Sequence, residues 1–199
     1  GVEGANRFLK RLWKMAAIHT AAGPAPALDV LALNDQQKSI RRKLHETIAK
    51  VSDDYGRRQT FNTAIAAIME LCNELGKLDT EVNSRAVMHE ALRAIVLMLD
   101  PIVPHVCHAL WPTLSGTNDI HNASWPSVDE SALSRESIEM VVQVNGKVRA
   151  RMEVPATADS DTIESLARSQ QNVNRFLEGL SVRKVIVVPG KLVNIVTAS

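Results

Sequence analysis

Apolar positions recur with two different periods along this chain, and the change falls near residue 138. Before it the spacing is three or four residues, the period of a helix with one buried face. Over residues 5–18, Ala5, Phe8, Leu9, Leu12 and Ala16 share one arc, and Arg7, Lys10, Arg11 and Lys14 lie opposite. Gly23, Pro24 and Pro26 then make a loop. A second helix carries Ile40, Leu44, Ile48, Val51 and Tyr55. A third begins near Thr60 with Phe61, Ile65, Ile68, Met69, Cys72 and Leu75. A fourth spans 82–99 and ends at Asp100-Pro101, because proline disfavours helical backbone before it. A short fifth covers 104–111. These amphipathic helices with short loops predict an antiparallel bundle over residues 1–115. Residues 116–137, rich in Pro, Ser, Gly, Asn and Asp, read as loop and linker, with Trp125-Pro126 pinned onto the bundle.

Beyond that point the period is two. Met140, Val142 and Val144 lead into Asn145-Gly146, the strongest two-residue hairpin signal. The return strand alternates, with Val148, Ala150, Met152 and Val154 on one face and Lys147, Arg149, Arg151 and Glu153 on the other; Pro155 stops it. Asp161 and Glu164 have capping-box spacing for a helix start. A second helix over 173–178 stops at Gly179. Strands over 182–188 and 192–196, joined by Pro189-Gly190, make another hairpin. The fold class expected is therefore an α-helical bundle followed by a small α+β domain of ββααββ order over residues 138–199.

Composition adds boundaries rather than a function. The chain has 199 residues, 45% of them apolar, which excludes a disordered or collagen-like protein. Two cysteines, Cys72 and Cys107, exclude a disulfide scaffold and a four-cysteine zinc site, and suit a reducing cytoplasm. The most apolar stretch, 94–111, is interrupted by Asp100, Pro101, Pro104, His105 and His108, so no membrane span is expected. The basic start followed by Met15-Ala-Ala-Ile mimics a signal peptide, but His19 breaks the apolar run and targeting is rejected. The opening Gly1-Val2-Glu3-Gly4 lacks an initiator methionine and reads as part of something longer.

A net charge of +1 argues against nucleic-acid binding by bulk charge, so any such binding must come from local clusters. Residues 138–199 hold 8 basic and 6 acidic side chains, against 15 and 16 before them. Lys147, Arg149 and Arg151 on one strand face would stand about 6–7 Å apart, a row able to follow a phosphate backbone. The competing reading is a solvated face kept soluble by charge. Arg183, Lys184 and Lys191 strengthen the first reading if strand packing brings them near. Arg7, Lys10, Arg11, Lys14 and Arg57-Arg58 read by pattern as solvated faces, and Asp53-Asp54 as surface charge. With the few aromatic residues assigned mostly to core, an RNA partner would be read by shape and backbone. His105-Val-Cys107-His108 clusters metal-ligand types, but within four helical residues that point apart; they read as packed helix residues, with no metal site. No glycine-rich phosphate loop and no Ser-His-Asp order occurs, so no catalytic residue is expected.

Several stretches together resemble one family. Gly1-Val-Glu-Gly-Ala-Asn-Arg-Phe-Leu-Lys-Arg-Leu-Trp13, Arg58-Gln-Thr-Phe-Asn-Thr-Ala-Ile-Ala-Ala-Ile-Met-Glu-Leu71, Leu99-Asp-Pro-Ile-Val-Pro-His105 through Trp111, and Ala123-Ser-Trp-Pro126 resemble the anticodon-binding helical domain of bacterial leucyl-tRNA synthetases. Val142-Gln-Val-Asn-Gly-Lys-Val-Arg149 and Val182-Arg-Lys-Val-Ile-Val-Val-Pro-Gly-Lys-Leu-Val-Asn-Ile195 resemble the two hairpins of that family's C-terminal domain. The helical half alone would also suit isoleucyl-, valyl- or methionyl-tRNA synthetases.

The resemblance implies a class I synthetase that ligates leucine to tRNA(Leu) using ATP and Mg²⁺. The HIGH and KMSKS-type motifs of adenylation are absent here, so this chain alone is expected to be no enzyme and to bind no cofactor. Its implied role is to hold the tRNA body and elbow through Lys147, Arg149, Arg151, Arg183, Lys184 and Lys191, with Arg7, Arg11 and Lys14 facing tRNA or the rest of the enzyme. The implied partners are tRNA(Leu) and the catalytic and editing domains of the same enzyme, in a cytoplasmic monomer. From another class, the alternative is an intramolecular protein-docking module with incidental RNA contact.

Overall fold

The computed structural model describes residues 2–134 and 137–198; Gly1, Arg135, Glu136 and Ser199, which the expected boundaries include, lie outside the described residues. The chain divides into two compact units, Gly1–Ser134 and Arg135–Ser199. The first is helical and the second combines helices with a four-stranded mixed sheet.

In the first unit, α1 (Val2–Ala21), α2 (Asp35–Asp53), α3 (Phe61–Leu75), α4 (Val82–Leu99) and α5 (Pro104–Ser115) surround one core. Leu12, Leu44, Ile68, Leu71, Leu75, Leu92, Ile95 and Met98 are fully buried in it. Helix α4 buries residues on most of its circumference, including Ala86, Val87, Ala91, Leu92, Ala94, Ile95, Val96, Met98 and Leu99, so it runs through the middle of the bundle. Its end at Asp100-Pro101 is where the sequence places it. Helix α5 passes the expected stop at Trp111, tolerates Pro112, and ends at Gly116, whose φ of 75° favours glycine.

Helix α2 starts in a reciprocal cap: the Asn34 side chain accepts from the Gln37 N–H, and the Gln37 side chain accepts from the Asn34 N–H. It ends in a π-helical turn, Asp54–Arg58, closed by Gln59 at φ 55°. Asp54 is not surface charge, as its sequence suggests, but is 1% exposed. Its carboxylate accepts from Lys50 Nζ (2.8 Å), Thr60 Oγ1 (3.1 Å) and Thr63 Oγ1 (2.6 Å), so it ties α2 to the start of α3.

Residues 116–134, expected to be loop and linker, belong to this first unit. Ile120 is buried in the core, and Trp125 Nε1 donates to Ser52 Oγ at 2.8 Å. Asp129 caps the short α6 (Glu130–Leu133) and pairs with the buried Arg41 at 2.7 Å. Arg41 also pairs with Glu90 at 2.9 Å, so the segment is fastened to both α2 and α4.

The second unit runs β1 (Ser137–Val144), β2 (Lys147–Pro155), α7 (Ser160–Ser169), α8 (Gln171–Leu177), β3 (Val182–Val188) and β4 (Leu192–Thr197). Spatial order is β2-β1-β4-β3, with β1 and β4 parallel and the two hairpins antiparallel. Met140, Val142, Val144, Met152, Val154, Val193 and Ile195 pack under Ile163 and Ala167 of α7 and Val173 of α8. The cap of α7 is Asp159, whose side chain accepts from the Thr162 N–H, two residues ahead of the expected Asp161. In the first hairpin turn Asn145 and Gly146 both take positive φ, and the Asn145 side chain accepts from Thr197 N and donates to Thr197 Oγ1, tying the turn to β4.

Candidate nucleic-acid interface

Strand β2 does not alternate as its sequence suggests. Val142 pairs with Ala150 but Gln143 pairs with Val148, so Arg149 is the extra residue of a β-bulge. The bulge reverses the faces beyond it. Val148, expected inside, is 57% exposed, while Lys147 pairs with the buried Val144. Arg149 turns toward the helices, with its guanidinium carbon 3.7 Å from the centre of the Phe176 ring. Arg151 stays on the open face opposite Val141, with Nη1 3.5 Å from Glu139 Oε1. The expected row of three cations is therefore split between two faces.

Strand β3 is also bulged at an arginine. Val182 pairs with Thr197 and Lys184 with Val196, which leaves Arg183 unpaired in the ladder. Because β2 and β3 are opposite edges of the sheet, Arg183 and Lys184 stand three strand spacings from β2, roughly 14 Å. The sheet does not bring them beside Lys147. Lys191 comes closer: its carbonyl accepts from Val141 N at 3.2 Å, and Val141 pairs on its other side with Arg151. Charged, bulged edges also protect a sheet from pairing with other chains.

On α1, Arg7, Lys10, Arg11 and Lys14 are all exposed, as their arc predicts. Beside Arg11 and Lys14 a cavity of about 520 Å³ opens, floored by Met15, Ile18, Leu78 and Met88 and edged by Arg85. The two Arg85 bonds to the carbonyls of Gly23 and Pro24 hold it there. Three aromatic residues depart from expectation. Trp13, Phe61 and Phe176 are 44–47% exposed rather than core, while Trp125 is 41% exposed but pinned to the bundle as expected, so an aromatic face stands beside Arg149.

Most of the expected site cations differ from several other basic residues in pairing, Arg151 with its Glu139 contact being an exception. Lys43, Lys50, Arg57, Arg58, Lys77 and Arg168 each meet a carboxylate. Among the described residues, none of the ion pairs engages Arg7, Lys10, Arg11, Lys14, Lys147, Arg183, Lys184 or Lys191, and all eight are exposed. Arg175, passed over in the sequence, joins them beside Phe176; its signal was a lone cation next to an aromatic residue on a short helix. Unpaired exposed cations meet phosphate without breaking an existing bond. Nucleophilic chemistry has no such support: burial pushes the thiols of Cys72 and Cys107 up to about 12, so neither is a thiolate near neutral pH.

Residues 37–165 match the family described as "Anticodon-binding domain of tRNA ligase", well over half of the chain. A leucine–tRNA ligase from Alcanivorax borkumensis is 63% identical over 197 residues, covering 98% of this chain and 24% of the relative. One from Marinobacter nauticus is 62% identical, covering 98% and 23%. The chain thus spans about a quarter of the length of the relatives it matches. A solved structure, the ternary complex of Agrobacterium radiobacter K84 agnB2 LeuRS with tRNA and LeuAMS, superposes with a TM-score of 0.77 at 27% identity, over 98% of this chain and 25% of that one. Among the described residues no helix is long and apolar enough to cross a membrane.

Proposed function

The chain belongs to the anticodon-binding-domain family of tRNA ligases, and from that premise we propose that it is the tRNA-holding part of a leucine–tRNA ligase. In this reading the helical unit lies along the tRNA and the ββααββ unit reaches its elbow. Adenylation with ATP and Mg²⁺, and editing, belong to other domains of the same polypeptide, with which this chain works in a cytoplasmic monomer. The observation that carries the reading is the exposed, unpaired state of Arg7, Arg11 and Lys14 on α1 and of Lys147, Arg183, Lys184 and Lys191 in the second unit. Arg149 and Arg151 take second place, because Phe176 and Glu139 already engage them.

Each cation that meets a phosphate releases counterions, so log K falls with log salt by about 0.9 per duplex phosphate and 0.7 per single-stranded one. Filter binding of a leucine tRNA transcript across a salt series, with a non-cognate tRNA as competitor, tests this. Changing Arg183, Lys184 and Lys191 together to Ala should weaken binding and flatten the slope by about two units. The Arg7, Arg11 and Lys14 triple should do likewise. Unchanged affinity and slope in both triples would sink the proposal.

One observation favours a second reading. The sheet face away from α7 and α8 leaves Val148, Ile186 and Val188 more than a third exposed, as a protein-docking surface would. Docking of that kind would show little salt dependence, so the same series separates the two.

A further inference from the structure

We propose that Asp100, His108 and His121 bind a divalent transition metal of the zinc class, with water in the fourth position. Asp100 follows the last turn of α4 and His108 sits on α5, so the α4–α5 corner fixed by Pro101 and Pro104 sets them face to face. Asp100 Oδ1 and His108 Nε2 are 3.5 Å apart, and both atoms are buried without a hydrogen-bond partner. Buried polar atoms are nearly always bonded, and an ion seated beside this pair, touching both atoms from one side, would satisfy them together. His121 closes the group: its ring meets His108 edge-on with centroids 4.6 Å apart, and the three ligand atoms lie within 4.8 Å of one another.

The distances suit the ion. Zinc–nitrogen and zinc–oxygen bonds near 2.0–2.1 Å in a tetrahedron place neighbouring ligands roughly 3.3 Å apart. The Asp100–His108 edge already has that length. His121 is exposed on a loop, so the remaining adjustment, up to about 1.5 Å from separations within 4.8 Å, falls on the least constrained member. Two imidazoles and one carboxylate suit zinc, cobalt, nickel or copper better than magnesium or calcium, which prefer all-oxygen sites.

The loop itself is built to present His121. Ile120 anchors in the core, and the Asp119 carboxylate accepts from the Asn122 N–H at 3.1 Å, closing a tight turn around it. Asp119 beside His121 adds a second negative charge. A bound metal would clamp residues 117–123 to the α4–α5 corner. The other histidine clusters are already satisfied: His19 bonds to His89 at 3.2 Å, and His45 lies between Glu90 and the Asp129 N–H. The sequence hides this site because seven residues and a helix corner separate Asp100 from His108, with His121 a further loop away.

Titration of the complete 199-residue chain with Co²⁺, followed by displacement with Zn²⁺, reads the site directly. The expected result is the visible absorption of tetrahedral cobalt, one zinc per chain, and a zinc-dependent rise in Tm. His121→Ala, on an exposed loop, should keep the circular dichroism of the parent, weaken zinc binding at least tenfold and abolish the Tm rise; Asp100→Asn should also weaken it. His19→Ala should bind zinc unchanged. No saturable zinc uptake, equal binding by His121→Ala and the parent, or binding lost in His19→Ala instead would each overturn the proposal and leave Asp100 and His108 as an ion pair only.

Discussion

His19 and Asp54 are ionisable side chains inside the helical unit, and each links its stability to pH in a different window. Burial, then the neighbouring His89 ring and Arg85, lowers the pKa of His19 from 6.5 to about 4. The folded state therefore resists the proton that the unfolded chain accepts, so stability is complete above pH 6.5 and is lost as pH falls through 4. The loss is on the order of 3 kcal/mol. Thermal melts between pH 7 and 4 should show that decline in the parent and a flatter one in His19→Gln, which keeps a polar partner for His89 but cannot titrate; parallel declines would refute the assignment. For Asp54 the hydrogen bonds from Lys50 and Thr63 outweigh burial and lower its pKa from 3.8 to about 2. Its contribution is present above pH 3.8 and is lost as pH falls through 2. Asp54→Asn should lower Tm at neutral pH and remove this second, more acidic limb. An Asn variant melting like the parent at both ends would mean that the α2–α3 corner does not depend on the charge.

At the scale of elements, the two places where the chain departs from its own pattern make the sharpest tests. If residues 116–134 were a linker, Ile120→Ala would cost almost nothing; buried in the bundle core, it should cost about 2–5 kcal/mol in urea unfolding. In the bulge of β2, Arg149 and Phe176 should show coupling of roughly 0.5–2 kcal/mol in a double-mutant cycle, with Arg149→Ala costing stability more than tRNA affinity. Additive effects would mean that the stacking contributes nothing. Helices and hairpins were legible because local signals set them: Asp100-Pro101 ends α4, and Asn145-Gly146 turns β1 into β2. The bulges at Arg149 and Arg183 were not, since a β-bulge changes pairing without changing composition, and one extra residue puts the side chains on its two sides out of step with a single alternation. The same holds for the site. Basic residues on α1 could be placed by helical period alone, whereas the sheet row depended on register and on strand order, which only the tertiary fold decides. His121 and Asp54 acquire their partners through contacts that no periodicity encodes.

The whole molecule has two cores, one under each group of unpaired cations, joined by a short stretch of chain. Each unit holds its own hydrophobic cluster, so fragments 1–134 and 137–199 should fold separately, the larger with most of the helical signal. If both hold the same tRNA, joining them makes the second contact intramolecular, and the local concentration of one unit for the other's RNA can reach the millimolar range. Avidity of that kind typically adds 10²–10⁴ to affinity without any new contact. The intact chain should therefore bind leucine tRNA at least about a hundredfold more tightly than either fragment, and an equimolar mixture of fragments should not recover the difference. Filter binding at one fixed salt concentration measures all four samples. If one fragment binds as tightly as the intact chain, that unit alone holds the RNA, and the exposed cations of the other are better explained as solvated surface. If the mixture binds like the intact chain, the units cooperate through contact with each other or through the RNA, and their covalent connection contributes nothing.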